Sequence, residues 1–195
     1  MNVSISSYFV MVVAFVLALV LAAAAAGKLI APSNRRAFAQ LTVQHLPVWL
    51  LTAAPATARR LATVGVVAVT GSEAVIAIAV AVAPLAKQKW GLLAAAILLT
   101  AFSAIIGYSL ATGRALECRC FGAKGHTYSW KHLVRNLALA TAALAAWLLH
   151  DTSALQLFPA GELLMCVTLA AVIATVIVLG EILNSSVTQK AALRP

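Results

Sequence analysis

Charge is the first thing this chain lacks. Only 10% of its 195 residues are Asp, Glu, Lys or Arg, and 63% are hydrophobic. A soluble domain carries about 25% charged residues. The shortfall excludes a soluble globular protein and makes the chain integral to a membrane. Cysteine is scarce too. Three cysteines exclude a disulfide framework, so the two that stand one residue apart, Cys118 and Cys120, read as chemistry rather than as a staple. No nucleic-acid module accompanies the net charge of +9. The cations sit mostly in the connections between apolar runs, where they face lipid headgroups and set orientation. Soluble domain, linker and internal repeat are all absent, and the alanine-rich runs suit close helix packing.

What is present is a series of apolar runs. The sequence predicts an all-α, polytopic membrane helix bundle with five spans at 8–26, 61–85, 91–110, 132–149 and 163–183. Each is long enough for a hydrocarbon core of ~30 Å. Residues 1–183 form one membrane domain and 184–195 a polar tail. The first run has no Lys or Arg before it and exceeds a usual signal core, so it reads as a retained helix. Between the first two spans, Pro32-Ser33-Asn34 starts a short interfacial helix with Phe38, Leu41 and His45 at helical spacing. Pro47 stops it, Pro55 marks another break, and Arg59-Arg60 closes the segment. Lys87 to Trp90 reads as a tight connection. Trp90, Trp130 and Trp147 lie at span ends, as interface anchors do.

The polar loop at 112–131 contains Glu117-Cys118-Arg119-Cys120-Phe121-Gly122. Cations surround the cysteines at Arg114, Arg119, Lys124, Lys131 and Arg135, and cationic neighbours favour a thiolate. Closing Cys118 to Cys120 makes a ring of roughly eleven atoms, whose strain favours ready exchange. The residues point to a dithiol/disulfide pair. Two inert thiols are the plainer alternative. A zinc site from Cys118, Cys120, His126 and His132 is another, but the spacing fits no usual finger, so no metal is assigned. Cys166, inside the fifth span, reads as a small buried apolar residue.

Glu73 lies in the second span. A carboxylate at the bilayer centre costs ~2.5–3.5 kcal/mol on insertion scales and faces protein or water. It is expected to be a buried proton carrier or an ion-pair partner of a cation on the fourth helix, or else to bond Ser72 or Ser103. Arg135, one turn into the fourth span, is either a thiolate stabiliser or a side chain that snorkels to phosphates. Asn136 reads as packing glue between helices. His126 is either a proton shuttle or merely solvated.

Several of these elements together resemble the methylamine-utilisation protein MauE family, which is related in shape to DoxX-like membrane proteins. They are Gly27-Lys28-Leu29 after the first span, Leu46-Pro47, Glu73, Cys118-Arg119-Cys120-Phe121-Gly122 after the third span, and Arg135-Asn136. The Cys-x-Cys-Phe-Gly element is the most specific. The resemblance implies processing, transport or maturation of an exported client, the disulfide-rich small subunit of methylamine dehydrogenase, beside a thioredoxin-like partner. It also implies a four-helix bundle similar to DsbB and vitamin K epoxide reductase, with one extra C-terminal helix. Those proteins use a Cys-x-x-Cys pair and a membrane quinone. This chain has Cys-x-Cys and no second pair, so the quinone stays a candidate and no cofactor is assigned.

Orientation is pulled two ways. The side bearing the cysteine loop carries twelve Lys/Arg and the other side only Lys87 and Lys89, which places the loop inside by the positive-inside rule. Disulfide chemistry on an exported client places it outside. The reading taken is a multi-pass protein of the bacterial inner or plasma membrane with the loop on the outer face. Two rivals to a thiol-redox factor stand: a non-catalytic assembly factor, and a small-solute or metal transporter that uses the cysteines as entry ligands.

Overall fold

In the computed structural model the described residues are 5–30, 39, 54–82, 85–112, 117–118, 126–127, 130–150 and 159–192. They form α1 (Ile5–Ile30), α2 (Pro55–Ala81), α3 (Leu85–Ala111), β1 (Glu117–Cys118), β2 (His126–Thr127), α4 (Trp130–Leu148) and α5 (Ala160–Ala192). The architecture is the expected polytopic helical bundle. The proposed interfacial helix, with Phe38, Leu41 and His45, lies outside the described residues.

α1 forms the centre of the bundle. It carries no charge until Lys28 near its end, and 56% of its most apolar stretch is buried, against 17% for α5. It packs on α2, α4 and α5, while α3 packs on α4 and α2. Val10, Ala14, Leu17 and Leu21 of α1 join Val80 of α2, Leu92 and Ala95 of α3, Ala143 of α4 and Cys166 of α5 in the main core. Val16 and Val20 meet Ala170 and Ala174 of α5 in a smaller one. Small residues at these contacts let helix backbones approach, as packing between membrane helices requires. Large apolar side chains such as Val64, Val67, Val75, Ile97, Val172 and Val176 are exposed on the outer faces, where a bilayer solvates them.

α2 begins earlier than the hydropathy suggested. Pro55 stands in its first turn, where proline's missing N–H would be unpaired anyway. Arg60, expected just before the span, therefore belongs to α2. Lys87 to Trp90 is likewise not a connection but part of the first turns of α3. Both differences share one cause: polar residues end an apolar run without ending a helix. The approach of α3 to α2 depends on Gly91. A Cβ there would stand 2.9 Å from Val80 Cγ2 and 3.3 Å from the Ala79 carbonyl carbon. The Gln88 side-chain amide, buried beside it, donates to the Val80 carbonyl at 2.9 Å.

Among the described residues, four of the five helices are long and apolar enough to cross a membrane: 5–30, 56–81, 87–111 and 160–180. α4 is shorter, at 19 residues, or about 28 Å. Its inward face holds His132, Leu133, Asn136, Ala140, Ala143 and Ala146, all buried, which repeat at helical spacing. α5 runs on to Ala192 rather than stopping at 183. The cysteine loop contains a small antiparallel hairpin, with Glu117 opposite Thr127 and Cys118 opposite His126.

Candidate functional site

A charged side chain inside a bilayer needs a partner, and the bundle supplies one for Glu73. Both carboxylate oxygens accept from Lys28 Nζ, at 2.5 and 2.6 Å. Lys28 and Glu73 are each 1% exposed. The ammonium also lies over the Phe102 ring of α3, 5.9 Å from its centroid. Three helices therefore converge on one charge pair. Its depth follows from helix rise: Glu73 is thirteen residues beyond Arg60 on α2, and Phe102 thirteen beyond Lys89 on α3. Each interval is about 20 Å, so the pair sits well inside a hydrocarbon layer whose half-thickness is ~15 Å.

This corrects the expected environment of Glu73. Its partner comes from α1, not from Arg135 on the fourth helix. The two candidate hydroxyls are engaged elsewhere: Ser72 Oγ donates to the Val69 carbonyl and Ser103 Oγ to the Leu99 carbonyl, both at 2.8 Å. Lys28 is the residue that sequence reasoning missed. It closes an apolar run and so looked like a headgroup-facing cation. The available signal was Glu73 itself, a carboxylate in a span that demands a cation. Buried and paired, Lys28 also leaves the tally of cations that orient the chain, so eleven remain on the cysteine-loop side.

Arg135 is half-buried in the second turn of α4, with Nε and Nη2 at 3.3 and 3.2 Å from Asn136 Oδ1. Asn136 is buried, so it anchors the guanidinium on the bundle side of α4. Arg135 shares with the hairpin the end of the bundle where α3 finishes and α4 starts. Cys118 closes β1, opposite His126. Cys120 lies outside the described residues, and with it any geometry of the pair. The zinc alternative that includes Cys120 falls there as well. Among the described residues, no group of three or more His, Cys, Asp or Glu side chains is placed to hold a metal ion.

The opposite end of the bundle is tied by other polar and aromatic contacts. His150 Nε2 lies 3.4 Å from Gln88 Oε1, and Lys89 Nζ stands 5.6 Å from the Trp147 ring centroid. The Tyr8 hydroxyl bonds the Glu162 carboxylate, which joins the starts of α1 and α5. Trp90 and Trp130 are exposed, whereas Trp147 packs against the core.

The profile of the family described as methylamine utilisation protein MauE matches residues 6–150. The chain belongs to the MauE family. The matched stretch spans α1 to α4 and includes Lys28, Glu73, the hairpin and Arg135, and it stops before α5. No curated protein and no solved structure matches the chain.

Proposed function

We propose that this MauE-family protein carries out thiol-disulfide maturation of an exported client in methylamine utilisation, the client being the small subunit of methylamine dehydrogenase. The observation that supports the reading most is the position of Cys118-Arg119-Cys120: it begins on β1 of a hairpin joining two packed helices, in a stretch rich in cations. In its disulfide form the pair takes two electrons and two protons from a client dithiol, which leaves a client disulfide and a reduced pair. A thioredoxin-like partner or a membrane quinone is the class of acceptor that would reoxidise it. Arg135 acts as thiolate stabiliser, and the Lys28–Glu73 pair ties α1 to α2 against Phe102 of α3, one of the two helices that the loop joins. The protein sits in the inner or plasma membrane with the loop on the outer face.

Alkylation with a mass tag in living cells tests this. A fraction of the protein should be oxidised at Cys118 and Cys120, with Cys166 always reduced, and Cys118→Ser or Cys120→Ser should each abolish client maturation. A pair that stays fully reduced in active protein would sink the reading. A membrane-impermeant thiol reagent on intact, mildly reduced cells should label the loop; labelling only after permeabilisation would move the loop to the inside.

A further inference from the structure

A hydroxyl at hydrocarbon depth has a local way to be satisfied: it turns back to a carbonyl of its own helix. Thr100, Ser103 and Thr168 all do so, each donating at 2.8 Å to the carbonyl four positions back. Thr70 does not, although Val66 stands four positions back on α2. Thr70 is 5% exposed, and among the described residues its Oγ1 has no hydrogen-bond partner. A hydroxyl left dry at that depth is costly. It lies one turn from Glu73 on the buried stripe Val66, Thr70, Glu73, Ala77 and Val80.

Residues three apart on a helix are neighbours on one face, with Cβ atoms about 5–6 Å apart. Thr70 and Glu73 are not directly bonded, and two polar groups separated by just more than a hydrogen bond are what a single water bridges. Glu73 has the capacity. Each carboxylate oxygen carries two lone pairs, and Lys28 takes one on each. The lining of the bundle also differs on the two sides of the pair. Towards the loop end it includes buried Ser103 and Ser109 of α3 and Asn136 of α4. Away from it, Ala77, Val80, Leu92, Ala95 and Leu99 make it apolar. Thr70 precedes Glu73 on α2 and so lies on the polar side.

We propose that Thr70 and Glu73 hold one bound water between them, on the loop side of the Lys28–Glu73 pair. The water accepts from the Thr70 hydroxyl and donates to a Glu73 carboxylate oxygen. The ligand is a small neutral molecule that both donates and accepts. An ion does not suit the site, because Lys28 and Glu73 already cancel and a further charge would be unmatched in low dielectric. No residue of the cysteine loop takes part, so the inference stands apart from the thiol reading.

The test uses the full-length protein in micelles, with threonine labelled at its 13C methyl. The Thr70 methyl should show a nuclear Overhauser contact to water, and the methyls of Thr100 and Thr168 none. Melting gives a second readout through Thr70→Val, which keeps the shape and removes the hydroxyl. A dry hydroxyl would make this variant melt higher, since an unpaired buried polar group is lost. A hydroxyl that holds water for Glu73 makes it melt lower, by about 2–4 °C. On a Lys28→Met, Glu73→Leu background there is no carboxylate left to bridge, and the same change should raise melting instead. A Thr70 methyl without a water contact overturns the proposal. So does a Thr70→Val variant that melts as high as its parent, or one that loses as much in both backgrounds.

Discussion

Lys28 and Glu73 bring one charge of each sign into the hydrocarbon and leave neither to solvent. Residues 112–136 are unbalanced in sequence. They gather five cations, Arg114, Arg119, Lys124, Lys131 and Arg135, around a single carboxylate, Glu117. In the first region each charge is matched by the other, and the result is a tie between α1 and α2 beneath an aromatic ring of α3. In the second, cations outnumber carboxylates five to one along the sequence. Balanced charge in low dielectric holds structure, and its loss is felt as stability. On the thiol reading proposed above, unbalanced charge beside the cysteines sets reactivity, and its loss is felt as rate.

The largest effect should come from splitting the interior pair. Lys28→Ala or Glu73→Ala leaves one charge buried without its partner, a loss of about 3–5 kcal/mol. Either variant should accumulate poorly and melt early on a detergent thermal-shift assay. Replacing both by apolar residues of similar size, Lys28→Met with Glu73→Leu, should recover most of the stability, since a well-packed apolar pair substitutes for a buried ion pair. A double variant as unstable as the singles would mean that the pair does more than hold helices.

Next in size is Phe102→Leu, which keeps the apolar packing and removes the ring face from the ammonium. The expected cost is about 1–2 kcal/mol on the same assay. Arg135→Gln sharpens the other side of the comparison: melting should move little, while Cys118 alkylation at neutral pH slows about threefold through the weaker cationic field. The smallest effect is that of salt. Raising ionic strength should slow alkylation modestly, because charges near water are screened, and should leave the melting contribution of Lys28–Glu73 unchanged. Equal sensitivity of both would erase the distinction.

The spans were legible because lipid asks for long apolar runs and little else. Their ends were not, because Arg60 and Lys87 belong to helices that outlast the apolar stretch. Glu73 was legible as a costly residue whose neighbours had to be found elsewhere. Its partner was not, for Lys28 is 45 positions away and nothing in local spacing relates two residues so far apart. The opposition of Cys118 and His126 was invisible for another reason. Strands of two residues carry no alternation, and register is a property of the pairing rather than of either strand.

The separation of Lys28 from Glu73 also has a meaning in time. A ribosome adds about 5–20 residues per second, so the carboxylate is made roughly two to nine seconds after the amine. During that interval α1 has a charged end and no counter-charge, and Lys28 stays with water and headgroups. α1 therefore reaches its final depth only when α2 joins it, and the two enter the bilayer as one unit of biogenesis. Nascent chains arrested before Glu73 has left the ribosome should expose Lys28 to a water-soluble amine reagent, and chains arrested well after it should hide it.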